Sequence, residues 1–240
     1  MNKDVKRFIA SMLLISVIVF FPGCNNKNTF NAQSNNAKSE RYSKELLNFF
    51  PKEHMGEIHY SGTAEYGETV EIYKITGTEK NLIINLKGNI DKVAEEGEIE
   101  EEESAGDKFK FWKEYIIDYE SVKEVQKNGE FKKRQEAIEK LTILKLPLHK
   151  GNAWEDEVEL KGKIYRAKTT IMDIYVDNDG KKLIKTETLI KDIENYPNKT
   201  YRETKIFKEG RGLIEFTNTR VFEDKTTFEF SYRMFEIDSK

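Results

Sequence analysis

The chain holds one cysteine, Cys24, which excludes both a disulfide framework and a thiolate metal cluster. Histidine is nearly as scarce. His54, His59 and His149 are the three present; no two stand at i, i+3 or i, i+4, and HExxH is absent, so no metal ligand is assigned and surface or turn histidines are expected. Four prolines in 240 residues exclude a proline-rich stalk. An excess of one charge is also missing. The 40 basic and 43 acidic residues give a net charge of −3, so nucleic acid is not an expected partner. Neither GxSxG nor Ser-x-x-Lys occurs, and Gly210-Arg211-Gly212 lacks the third glycine and the strand–helix context of a nucleotide fingerprint. The sequence therefore implies no cofactor and gives no ground for expecting an enzyme.

What is present begins with an address. Lys3, Lys6 and Arg7 precede Ile9 to Phe21, a 13-residue stretch without a charge. It is too short to span a bilayer, which takes about 20 residues, and the right size for a signal-peptide core. It ends in Phe21-Pro22-Gly23-Cys24, which looks like a lipobox: a small residue before a cysteine that takes diacylglycerol and becomes the new N-terminus. Phe21 and Pro22 depart from the usual Leu and small residue. Ordinary signal peptidase would need small residues at −3 and −1, and no such pair fits. Residues 1–23 are read as a lipoprotein signal peptide and Cys24 as the lipidation site, with the protein anchored in the cell membrane at its outer face. Residues 24–40 are read as a flexible tether, because Asn25 to Glu40 carries six asparagines in sixteen residues and too little apolar surface to fold. Its root-mean-square reach is about 20–24 Å.

Beyond the tether the aromatic share of 12% supports a folded core. Tyr42, Leu46, Phe49 and Phe50 follow helical spacing up to Pro51, predicting one short helix. The rest reads as all-β, mainly antiparallel meander, in one or two twisted sheets. Strands are expected over 67–76, 80–88, 165–176, 181–191, 201–207, 213–221 and 226–237, with a further aromatic, β-branched stretch at 108–125. Asn128-Gly129, Asn178-Asp179-Gly180 and Glu209-Gly210-Arg211-Gly212 mark hairpin turns. Phe228, Phe230, Tyr232 and Met234 alternate to one face. Pro51, Gly56 and Tyr60 are echoed by Pro147, Gly151 and Trp154, a weak repeat that divides a β-rich unit at 41–145 from another at 146–240, with one continuous domain as the alternative.

Taken together, Phe50-Pro51, Gly56, Tyr60, Gly62, Ala64-Glu65-Tyr66-Gly67, Pro147-Leu148 with Gly151 and Trp154, and Tyr201 with Phe207 to Ile214 resemble a group of uncharacterised envelope lipoproteins of Firmicutes, clostridia especially, over most of residues 46–220. The resemblance implies an envelope lipoprotein with a β-rich ectodomain, and it supplies no functional residues to carry over.

Three features invite chemistry. Asp173, Asp177, Asp179 and Gly180 suggest a calcium loop, but aligning Gly180 with the sixth EF-hand position puts Tyr175 first and Thr186 last, where carboxylates belong. A hairpin turn with acidic flanks is the favoured reading. Glu95 to Glu103 holds seven glutamates in nine residues and reads as a solvated, self-repelling loop. Trp112, Trp154, Tyr60 and Tyr66 offer flat faces to a ligand, against the plainer reading as core. The expected function is non-catalytic binding or scaffolding of an envelope protein or small ligand. The alternative is a hydrolase of envelope polysaccharide or peptidoglycan using paired carboxylates.

Overall fold

Apolar and polar side chains alternate along most of the chain, and the computed structural model turns that alternation into strands. It describes residues 41–52, 56–63, 67–90, 109–128, 137–222 and 224–235. Cys24, the tether, Tyr66, the 95–103 acidic run and Gly129 lie outside the described residues. A short helix α1 (Lys44–Leu47) is followed by β1 (Glu57–Gly62), β2 (Gly67–Gly77), β3 (Leu82–Ile90), β4 (Phe109–Ile117), β5 (Ser121–Asn128) and β6 (Lys140–Lys145). Then come β7 (Ala153–Leu160), β8 (Lys163–Val176), β9 (Lys182–Lys191), β10 (Thr200–Lys208), β11 (Gly212–Val221) and β12 (Thr227–Phe235).

All twelve strands form one antiparallel sheet in the order β6-β5-β4-β3-β2-β1-β12-β11-β10-β9-β8-β7. The first and last strands pair in its middle, with Tyr60 opposite Met234 and Gly62 opposite Tyr232. A side chain at Gly62 would run into the Ser231 carbonyl, so glycine permits this approach. The two free edges are β6 and β7, consecutive in sequence, and the sheet curls until they meet. The result is a meander barrel with a single seam halfway along the chain.

The 145/146 boundary falls at that seam, and one continuous sheet joins the units on either side of it. Each half opens alike. Gly56 (φ 76°) and Gly151 (φ 87°) are left-handed, the region that glycine enters without strain. Tyr60 and Trp154 follow them on β1 and β7 and are both buried. The next strands each carry a bulge, between Ile72 and Lys74 on β2 and between Ile171 and Asp173 on β8.

The interior is filled from the walls and from one end. Phe230 and Tyr232 are buried, with Phe228 and Met234 packed beside them, as the alternation predicts. Phe111 lies across from Gly88, where a Cβ would overlap its ring. At the end formed by the β2–β3, β4–β5, β6–β7, β8–β9 and β10–β11 turns, residues 42–51 make a plug. Ser43 caps α1 by accepting the Leu46 N–H at 3.2 Å. The Ser43 N–H donates to Asp118, and Asn48 and Phe49 carbonyls accept from Gly210 and Gly212. Leu46, Phe49 and Phe50 are thereby buried, each adding about 1.5–3 kcal/mol. Phe50 meets Tyr115 at 4.8 Å between ring centroids and Phe207 at 6.1 Å.

One sequence expectation needs correction. The 108–125 stretch is two strands, because Asp118 Oδ1 accepts the N–H groups of Glu120 and Ser121 at 2.8 and 2.7 Å and turns the chain without glycine or proline. Trp154 stands on the β7 edge, and the plug is Leu46, Phe49 and Phe50.

Candidate functional site

Alternation on β10 puts Tyr201, Glu203, Lys205 and Phe207 on one inward face, and on β4 it puts Lys113 between Phe111 and Tyr115. Charged groups are thus carried into the barrel. Lys113, Glu124, Glu203 and Lys205 are no more than 3% exposed. Lys205 Nζ crosses from β10 to reach Glu124 Oε1 on β5 at 2.7 Å and sits 3.4 Å from Glu203 Oε1. Lys113 Nζ lies 3.7 Å from Glu124 Oε2. Gln126 Nε2 donates to Glu124 at 3.2 Å, and the Tyr201 hydroxyl donates to Glu203 at 2.6 Å. The Lys205 ammonium also stands 5.7 Å from the centre of the Phe216 ring. Two ammonium groups face two carboxylates in this network, and a third buried carboxylate, Glu68, is carried inward from β2 on the face of Val70 and Ile72. Burial, then the charge of Glu203 and its hydrogen bond, hold the Tyr201 phenol well above its ordinary pKa. This network ties opposite walls together and is closed to solvent.

Groups that a ligand can reach lie at the seam and on the outer wall. The indole N–H of Trp154 donates to the Thr142 carbonyl at 2.8 Å. Two residues on, Asp156 accepts from the Thr142 backbone N–H at 3.2 Å and from its hydroxyl at 2.9 Å. Both backbone groups of Thr142 are therefore satisfied by β7 side chains. Beside this bridge runs a groove of about 400 Å³, lined by Asp118, Tyr119, Glu120, Lys123, Lys145, Trp154 and Glu155 among others. Its carboxylates are largely committed. Asp118 holds the β4–β5 turn, Asp156 holds the seam, and Glu155 lies 3.5 Å from Arg166. A second depression of about 390 Å³ on the outer wall of β8–β12 mixes Thr204, Thr217 and Thr219 with Lys185, Glu187 and Arg202.

The proposed ligand residues are not brought together. Trp154 is 7% exposed and shows an edge to the seam groove. Trp112 is 41% exposed on the outer face of β4, opposite Lys87 and Lys127. Tyr60 is core: its hydroxyl donates to Leu213 at 2.8 Å, and its ring meets Tyr232 edge-on at 5.5 Å. At the β8–β9 turn, Asp177 accepts the N–H groups of Asp179 and Lys181 at 2.9 and 2.8 Å. Lys208 Nζ sits 2.7 Å from Asp177 and 3.2 Å from Asp179, so an ammonium occupies the place between these carboxylates. Its hydrogen bond, followed by that of Lys181, lowers the Asp177 pKa. Asp173 pairs with Lys150 at 3.3 Å instead. Among the described residues no three His, Cys, Asp or Glu side chains are grouped to hold a metal.

No protein-family model and no curated protein matches the sequence. Two solved structures are similar in shape. One is a candidate exported protein of Bacteroides fragilis NCTC 9343 with a YmcC-like fold, 11% identical, with a TM-score of 0.42 over 78% of this chain and 99% of that one. The other is a candidate lipoprotein of Parabacteroides distasonis ATCC 8503, 7% identical, with a TM-score of 0.39 over 78% of this chain and 96% of that one.

Proposed function

We propose that the protein is a lipoprotein of the Firmicutes envelope type, held at the outer face of the cell membrane by lipid on Cys24, with a non-catalytic binding or scaffold role. The observation that carries the binding role is the filled interior. Lys113, Glu124, Glu203 and Lys205 pair with one another inside the barrel, and Leu46, Phe49 and Phe50 plug one end, so among the described residues the groups open to a ligand are those of the outer surface. There the seam groove offers mixed charge and the rings of Tyr119 and Trp154, a surface suited to polar, partly planar groups.

The test is native mass spectrometry of the detergent-solubilised chain after incubation with envelope extract, beside a Tyr119→Ala, Lys123→Glu variant. A small ligand or partner protein retained by the parent and lost from the variant supports binding at the groove. Retention by both moves the site elsewhere on the surface. A bare chain in both puts weak recognition or turnover of an envelope polymer ahead of this reading.

A further inference from the structure

Tyr73, Tyr119, Met172, Tyr175, Val176 and Phe235 are exposed large apolar residues, between 39% and 64% accessible. They come from four separate parts of the sheet: Tyr119, Tyr175, Val176 and Phe235 lie at one end of the barrel, and Tyr73 and Met172 stand on the outer wall towards it, Met172 lining the depression over β8–β12. Tyr73 and Met172 stand at the bulges of β2 and β8, four residues before those strands end. Tyr119 is in the β4–β5 turn, Tyr175 and Val176 finish β8, and Phe235 finishes β12. This is the plugged end, where the described chain begins at Arg41. The chain is fixed there: the Arg41 guanidinium donates to Thr78 at 3.3 Å, and Ser43 and Asn48 bond the β4–β5 and β10–β11 turns. Sixteen residues separate Arg41 from Cys24, a coil reach of about 20–24 Å. A lipid on Cys24 would therefore hold this end, and not the opposite one, beside the headgroups.

We infer that the plugged end is a membrane-resting surface, whose tyrosines and Phe235 seat in the headgroup layer and fix the barrel upright on the bilayer. Tyrosine suits that layer because its ring is apolar and its hydroxyl stays hydrated. Charge is not the attraction. Lys80, Lys150, Lys181 and Arg211 at this end are interspersed with Glu79, Glu120, Asp179 and Glu209, so neutral and anionic bilayers should serve alike. At the far end Ile164 (67%) and Phe222 (53%) are exposed as well, Phe222 stacking on Phe228 at 4.8 Å, so it is the place where the tether joins the barrel that singles out the plugged end. The inference rests on lipidation of Cys24 and specifies which surface that anchor presents to the lipid.

The test uses the lipidated chain in vesicles of phosphatidylglycerol and phosphatidylethanolamine carrying nitroxide headgroups. Tyr175→Cys and Phe222→Cys are made separately and labelled with a fluorophore; the sulfur of Cys24 is blocked by its lipid, so only the introduced thiol reacts. Flotation with the vesicles is read first. In floating chains, loss of fluorescence at position 175 and retention at 222 is the expected result. Equal loss at both positions, or none at either, overturns the resting surface while leaving the anchor intact. A chain whose mass shows no lipid and which does not float removes the anchor and this inference with it.

Discussion

The Trp154 indole donates to the Thr142 carbonyl at 2.8 Å, and in doing so a β7 side chain takes the place of a ladder bond to β6. Unpaired edges invite pairing with other chains. Here the two edges cover one another, joined through side chains where every other neighbouring pair of strands is joined through backbone.

Trp154→Phe keeps an aromatic ring at the seam and strands the Thr142 carbonyl, which should cost about 1–3 kcal/mol. Trp154→Ala also opens a cavity and should cost about 3–5 kcal/mol. Urea titration gives both values, and hydrogen exchange should show the loss concentrated in β6 and β7. A neutral Trp154→Phe would mean that the seam holds without the indole bond.

Much of the sheet is legible in the sequence because turn residues punctuate it. Asp177 to Lys181 and Glu209 to Arg211 end their strands where glycine permits the turn. β1, β6 and β7 escape notice: β6 is short and buried on successive residues from Leu141 to Leu144, so it does not alternate. The seam escapes as well, since pairing of β1 with β12 depends on contacts far apart in sequence. The interior network was readable in principle from period two alone, which puts Glu203 and Lys205 on the face of Tyr201 and Phe207. Lysine and glutamate there look like a wet face until the sheet is known to close.

Lys205→Met leaves Glu124 and Glu203 buried with Lys113 as the nearby cation, and should cost about 3–5 kcal/mol. Lys205→Met with Glu124→Leu should cost less than the two single substitutions summed, because their shared pair is lost only once, although Glu203 and Lys113 each lose a charged neighbour in the double. The urea midpoints of both singles and the double complete the cycle. Strict additivity would show that the 2.7 Å pair has no coupling.

Tyr201 and Tyr196 are both raised above the ordinary phenolic pKa of 10.0, burial being the first cause in each. Below that value both folded and unfolded chains hold these protons, so stability does not depend on them. As pH rises past about 10 the unfolded chain releases protons that the fold retains, and stability falls. Lys208, raised chiefly by its hydrogen bond to Asp177, adds to the alkaline decline once pH passes its ordinary 10.5. Tyr201→Phe should flatten the decline, as read from urea midpoints across that range. An unchanged slope would show that the phenol titrates normally.

Gly88→Ala should destabilise by about 1–3 kcal/mol, since the new methyl would overlap the buried Phe111 ring and crowd the Thr69 carbonyl. Adding Phe111→Leu should restore part of the loss. Thermal or urea unfolding of the single and double variants checks this, and an additive pair would contradict the ring contact.

Cys24 carries the central claim, and the intact mass of the mature protein from its own membranes tests it most directly. The predicted mass is that of residues 24–240 plus diacylglycerol, and Cys24→Ser should leave the protein uncut and without lipid. A mature chain that begins elsewhere, or one that begins at Cys24 without lipid, would contradict the account.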